Sequence, residues 1–292
     1  MAEFVNVRAS EILNQHELVE FLKSRFPTTR TVGRNTLKDT QCVEVRVPSN
    51  SPEFEEIRRF VTTRRAQGIP AFTNFTIGSY LRKYSKTELM NAEVLRLVIT
   101  PHFEPCGEEC GTMYETLCTH CNWGRQISDL VLDLRQAPQH KDISETIAWV
   151  EWIVSSRFVR AFSENKLTGA EFHPVFDLRN PIKQSREWQQ LRVTGIAGEL
   201  ASVMKLGKDP FSPSQVSWRC PLGHTVVAQF LSEVFLRRDT WDGSDIAITN
   251  ALFGQGRNLL RPTPLICVSQ RMYRGLLQEA MKGFTFEVAH LV

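Results

Sequence analysis

Apolar positions near the start of the chain recur with almost helical spacing. Ile12, Leu13, Leu18, Phe21 and Leu22 predict a helix through EILNQHELVEFLKSRF, with Ser10 as its cap. From Cys42 to Val47 the period falls to two, which predicts a strand at QCVEVRV. Ser51 and Pro52 then open a second helix, SPEFEEIRRFVTTRRAQG, with acidic residues in its first turn and Gly68 near its end. Ser85 caps a third, predicted to run through KTELMNAEVLRLVI. Residues 1–100 therefore read as an α+β module with a small core and no catalytic constellation.

The pattern breaks at Pro101. PHFEPCGEECGTMYETLCTHCNWGR holds too many Gly, Cys and Pro residues for a long regular element and predicts a loop-built knuckle or short ribbon. After it DLVLDLR alternates as a strand, and a segment beginning at Asp142 ends with a helix stop at Gly169 and a closing strand, AEFHPV.

That segment occurs twice. Asp142, Ile143 and Thr146 are matched by Asp245, Ile246 and Thr249; Val154-Ser155-x-Arg157 by Val268-Ser269-x-Arg271; and Gly169-x-x-Phe172 by Gly283-x-x-Phe286. The second copy carries an insertion, GQGRNLLRPTP, between its Asp and its Arg. Cys121 precedes Asp142 by the same 21 residues that separate His224 from Asp245, so each copy begins beside a cysteine-bearing element. Ser155 and Ser269 stand where helix N-caps belong, and Asp142 and Asp245 read as turn or cap residues. The expected class is α+β: an N-terminal module (1–100), a zinc knuckle with the first αβ repeat (101–179), a connection (180–215), and a second αβ repeat with a degenerate knuckle (216–292).

Composition changes this picture little. The 292 residues are 42 % hydrophobic and 23 % charged, with a net charge of +3, as in an ordinary globular protein. No secretory signal or membrane span is expected, and seven cysteines, an odd and scattered set, suit a reducing cytoplasm better than a disulfide framework. Charge is uneven, because residues 101–150 carry three Lys or Arg against eight Asp or Glu. Arg58, Arg59, Arg64 and Arg65 offer a basic stripe on one helix, the basis of an alternative reading as a nucleic-acid-binding module; a solvated helix face is the plainer reading.

The densest chemistry is the cluster Cys106, Cys110, Cys118 and Cys121, spaced C-x3-C-x7-C-x2-C. Four thiolates there predict a closed, structural zinc site with no open position for a substrate. Alternatives are Cys110, Cys118 and Cys121 completed by His120 or His102, or reduced thiols without metal. Cys220 and His224 form a weaker, incomplete pair that needs ligands from elsewhere or has lost its metal. No catalytic residue is assigned: G-x-S-x-G, H-E-x-x-H and a phosphate loop are absent, and His173 and His290, near the ends of the two copies, read as strand histidines. An unrecognised enzyme would need a polar pocket joining side chains such as Asp142, Arg157 and His173. Five tryptophans, Trp149, Trp152, Trp188, Trp218 and Trp241, read as core or interface anchors.

At GEECGTMYETLCTHCNWG, DLVLDLRQAP, DISETIA, VSSRF, LTGAEFHPV and GFTFEVAHLV the chain resembles the double-CXXCG motif family of myxobacteria over roughly residues 95–292. It departs from that pattern at Asn122, where Gly is expected, at the Cys106-x3-Cys110 spacing, and at the second knuckle, which keeps one cysteine. The resemblance implies a protein partner, a toxin that an immunity-like protein neutralises. The expectation is thus a cytoplasmic zinc-containing interaction protein and not an enzyme.

Overall fold

The computed structural model of the protein describes every residue except 1–2, 13–16, 35–39, 69–76, 148–149, 208–210, 212–217, 228 and 255–260. The chain divides into two compact units, one formed by residues 1–83, 205–216 and 229–232 and the other by the remainder. Together they form a mixed α+β fold.

Valines at alternate positions build the first unit. Its elements are β1 (Glu3–Ile12), α1 (Glu17–Arg25), β2 (Arg30–Arg34), β3 (Thr40–Pro48), α2 (Pro52–Ala66) and β4 (Ile77–Arg82), with an antiparallel sheet ordered β2-β3-β1-β4. Val5 faces Val47 and Val7 faces Val45, so one side of the sheet is apolar. Leu18, Val19 and Leu22 of α1 and Phe54, Ile57 and Val61 of α2, at helical spacing, complete the core with those valines. The β3 strand and the second helix lie where the sequence predicts them, and Ser51 accepts the Phe54 N–H as a cap. The first helix differs. Ser10 belongs to β1, paired opposite Cys42, because Val5 and Val7 favour a long antiparallel ladder.

The second unit opens with α3 (Lys86–Asn91), started by a capping box between Ser85 and Glu88 and ended at its C-cap, Ala92. The helix ends there; VLRLVI, predicted to continue it, is the buried strand β5 (Val94–Ile99). Then come β6 (His102–Phe103), β7 (Tyr114–Cys118), β8 (Trp123–Gln126), β9 (Leu130–Leu132), β10 (Ile143–Thr146), β11 (Trp152–Ser155), α4 (Ser156–Glu164), β12 (Ala170–Asp177), β13 (Asn180–Val193) and β14 (Gly195–Gly198). The chain visits the first unit in β15 (Leu206–Gly207), returns for β16 (Trp218–Arg219) and β17 (Thr225–Val227), and visits it again in β18 (Gln229–Phe230). It finishes with β19 (Val234–Leu236), β20 (Ile246–Phe253), β21 (Thr263–Ser269), α5 (Gln270–Gln278) and β22 (Phe284–Leu291).

These elements form two larger sheets, β6-β10-β11-β13-β12-β9 and β16-β17-β20-β21-β5-β22-β19, the second extended by β14 beside β20. The duplication is larger than the sequence motifs suggest. Ser155 faces Trp188 of β13 as Ser269 faces Val94 of β5, and Phe172 faces Leu191 as Phe286 faces Leu97. The Thr194 N–H donates to the Gly169 carbonyl at 2.8 Å, and the Thr100 N–H to the Gly283 carbonyl at 3.0 Å. Beyond these, β6 runs parallel to β10, with His102 opposite Glu145, as β14 runs parallel to β20, with Ile196 opposite Ile248. Each half thus begins with a strand that joins the other half's sheet: β5 inserts between β21 and β22, and β13 between β11 and β12. Residues 180–198, expected to be a connection, are the opening strands of the second copy, and the second unit begins at Tyr84 rather than 101.

One core holds both halves. Leu95, Leu97, Ile246, Ile266 and Val268 from one sheet meet Ile143, Trp152, Val154 and Leu191 from the other, with Phe158 and Phe162 of α4 and Met272, Tyr273 and Leu276 of α5. Burial of each such side chain contributes roughly 1.5–3 kcal/mol. Ser155 and Ser269 cap α4 and α5 by accepting the Phe158 and Met272 N–H groups. Gly169 and Gly283 are not helix stops; each lies before a closing strand with positive φ, and a Cβ there would stand 2.1 Å from the Ile246 carbonyl oxygen or 2.3 Å from that of Ile143. The inserted loop GQGRNLLRPTP lies largely outside the described residues, as does Trp149.

Candidate metal centre

Two hairpins, one from each half, bring the metal-ligand side chains together. The β7–β8 hairpin ends in Cys118 and carries Cys121 in its turn; Asn122, where the turn needs positive φ, adopts 61°. The β16–β17 hairpin turns through Cys220 to His224, closed by the Cys220 N–H on the His224 carbonyl at 3.0 Å, with Gly223 at φ 86°. Ligand atoms of Cys118, Cys121, Cys220 and His224 all lie within 4.8 Å of one another. The Cys118 and Cys220 sulfurs are 3.7 Å apart, and His224 Nδ1 lies 3.4 Å from Cys220 Sγ and 3.5 Å from Cys121 Sγ. A tetrahedral ion with metal–sulfur bonds of about 2.3 Å spaces its sulfurs about 3.8 Å apart, with nitrogen slightly nearer. The four groups can therefore hold a metal ion.

Electrostatics favour one thiolate before any ion is considered. Burial opposes ionisation of Cys118, yet the Cys121 N–H and the His224 side chain outweigh it and hold the thiol down at about 6. Burial and the neighbouring Cys118 charge push Cys121 up to about 11. A bound cation would remove this conflict by deprotonating both.

The expected four-thiolate knuckle is not the group that forms. Cys106 and Cys110 flank a single tight turn, with the Cys110 N–H donating to the Cys106 carbonyl at 3.2 Å, and Cys106 packs against Tyr114. From Tyr114 the β7 strand is extended, carrying Cys118 about 13 Å further along at roughly 3.3 Å per residue. Burial pushes the Cys106 thiol up to about 11 and raises Cys110 as well. The variants completed by His120 or His102 do not form either: His120 is exposed, and His102 faces Glu145. Cys220 and His224, the weaker pair, supply half of the assembled set.

What fixes the 106–112 turn is Glu151, fully buried, which accepts the Gly107 N–H at 2.9 and 3.1 Å, the Thr146 hydroxyl at 2.5 Å and the Tyr114 hydroxyl. Burial raises its carboxyl above the ordinary range against those donors. No sequence motif marked this residue. A Cβ on Gly107 would reach 2.7 Å from a Glu151 oxygen, so only glycine admits the contact.

Asp142 and Asp245 are structural clamps exchanged between the halves. Asp142 takes the Ser155 hydroxyl at 2.9 Å, Arg157 through two nitrogens at 3.0 and 2.6 Å, and the Lys282 N–H of the other half at 2.8 Å. Asp245 takes Ser269 at 2.7 Å, both arms of Arg271, and the N–H and hydroxyl of Thr168 at 3.0 and 3.1 Å. Burial opposes ionisation, but these donors prevail and hold both carboxyls below the usual range. His173 is not beside them; it faces Glu171 at 3.2 Å. Nor does it match His290, which lies seven residues after its glycine rather than four and faces Glu233 at 2.7 Å. On α2, Arg64 is buried against Glu17 and Arg58 pairs with Glu55, so two of the four stripe arginines are engaged.

Among the described residues no helix is long and apolar enough to cross a membrane. No model of a known protein family matches the chain. No curated protein matches it either.

Proposed function

We propose that the protein is a zinc-stapled binding protein that grips a basic partner protein and carries out no turnover. The assembled Cys118, Cys121, Cys220 and His224 set carries this reading, because three thiolates and an imidazole fill a tetrahedral zinc ion and leave no coordination position for a substrate. Such an ion would fasten two hairpins that have little core of their own.

The first hairpin has a surface suited to a partner. Met113 lies 59 % exposed, Ile127 beside it 54 %, and Leu117 at the far end 42 %; Leu222, in the second hairpin's turn, is 61 % exposed. Exposed large apolar side chains on a rigid hairpin favour docking. Around the first hairpin Glu104, Glu108, Glu109, Glu115 and Asp129 are exposed and outnumber the nearby bases Arg125 and Arg261, which suits a partner whose contact surface is basic. A toxin neutralised by an immunity-like protein, as the double-CXXCG resemblance implies, is the partner we propose, in the cytoplasm.

The test is calorimetric titration of the zinc-loaded protein with the products of adjacent genes. A nanomolar complex is expected, weakened at least 100-fold by Leu117→Asp with Ile127→Asp while zinc content is unchanged. Failure of every neighbouring product to bind would contradict the reading.

A further inference from the structure

The halves of the second unit differ sharply at one set of equivalent positions. Where the second half places Ile196, Ile248 and Ile266, the first has His102, Glu145 and Trp152. The Trp152 indole N–H donates to one Glu145 oxygen at 2.9 Å, and His102 Nδ1 lies 3.2 Å from the other. This polar chain lines a hollow of about 240 Å3 between β5, β6, β10, β11 and β21, whose remaining wall includes Ile99, Leu265 and Ile266.

Folding does not require the polar version. Ile196 is 50 % exposed and the His102 side chain 48 %, so the two positions meet solvent alike, and the isoleucine set builds the same strand pairs. Burial of Glu145 disfavours its charged form, a cost that the isoleucine set avoids. Polar groups retained against stability at a concave site mark binding chemistry.

The geometry also specifies a ligand class. In the tautomer that donates Nδ1–H to Glu145, His102 Nε2 is an acceptor, which a hydroxyl on the ligand would satisfy. Arg96, which also lines the hollow, is bonded to Glu287 at 2.7 Å and lies near enough to Glu145 to act on its charge, so the cation is met by carboxyls of the protein and an uncharged ligand is favoured. The walls are aliphatic and aromatic, and a cavity of about 150 Å3 already accepts a benzene ring. We propose that this hollow binds a phenol, its hydroxyl donating to His102 Nε2 and its ring against Trp152 and the aliphatic wall. The ligand is a free small phenol or the tyrosine side chain of a partner. This site is separate from the metal centre and does not depend on the function proposed above.

The experiment is an NMR titration of the zinc-loaded full chain with p-cresol, with toluene and with N-acetyl-tyrosinamide, following the Trp152 indole resonance. p-Cresol should bind at least about tenfold more tightly than toluene, because a site built to bond a hydroxyl rejects the analogue lacking one. Binding of p-cresol without the tyrosinamide identifies a free phenol; binding of both identifies a partner tyrosine. The double variant His102→Ile, Glu145→Ile should lose the p-cresol preference while melting at the same or a higher temperature, as the isoleucines of the other half imply. Equal binding of p-cresol and toluene, no binding of either phenol, or a variant that melts lower and keeps the preference would overturn the proposal.

Discussion

Where β10 of the first half sets Glu145 beside His102, β20 of the second sets Ile248 beside Ile196, and where β11 is led by Glu151 and Trp152, β21 has Leu265 and Ile266. The helix caps, the aspartate clamps and the two positive-φ glycines are the same in both. Duplicated parts that agree are those the fold requires, and parts that diverge are free to carry other chemistry. The candidate metal site belongs to neither half alone, since each hairpin offers two of the four side chains that could hold an ion.

Removal of metal should have the largest effect and should reach both halves together. Under the proposed zinc staple, chelation lowers the melting temperature of the second unit by about 10 °C, seen by calorimetry, and both hairpins lose hydrogen-exchange protection. Protection lost in one hairpin only would break the shared-site picture.

The clamps sharpen the comparison at the next level. Asp142→Ala and Asp245→Ala each strand a part-buried backbone N–H, a serine hydroxyl and a half-exposed arginine, and should each cost about 1–3 kcal/mol in urea unfolding. Asp245→Ala, which also loses the Thr168 hydroxyl, should cost up to about 1 kcal/mol more than Asp142→Ala; a clamp that cost nothing would mean the halves are not held alike.

Acid should act on the same pair. Both carboxyls are depressed in the folded state, so their stabilisation is full above the ordinary aspartate value of 3.8 and is lost as the pH falls below it. Urea midpoints measured from pH 5 to pH 2 should fall for the native chain and fall less for Asp142→Asn with Asp245→Asn.

Glu151 has no counterpart clamp and its sign is opposite. Its raised carboxyl costs stability that accrues as the pH climbs above the ordinary glutamate value of 4.5. Glu151→Gln should lessen the fall in stability as the pH climbs above 4.5, the remainder belonging to Glu145, whose carboxyl burial also raises. A decline of unchanged size in this variant would place its source elsewhere.

Much of the architecture was legible because periodic burial leaves marks. The β3 strand, the α2 helix, the serine caps and the repeated Asp, Ser-x-Arg and Gly anchors all follow from local rules. β13 was missed because residues 180–187 are largely exposed and polar, and β5 because VLRLVI follows a true helix start without a Gly or Pro between them. The metal set was misjudged for a different reason. Local cysteine density points to Cys106 and Cys110, whereas the group able to hold an ion comes from hairpins whose cysteines Cys118 and Cys220 are 102 residues apart in sequence. The matched 21-residue spacings already implied equivalent half-sites, and two incomplete half-sites in a paired duplication can complete each other.

That completion is most directly tested by metal analysis of purified variants. The native chain should carry one zinc, Cys106→Ser with Cys110→Ser should still carry one, and Cys118→Ser with Cys220→Ser should carry none. Zinc lost with Cys106 and Cys110 but kept without Cys220 would contradict the shared centre.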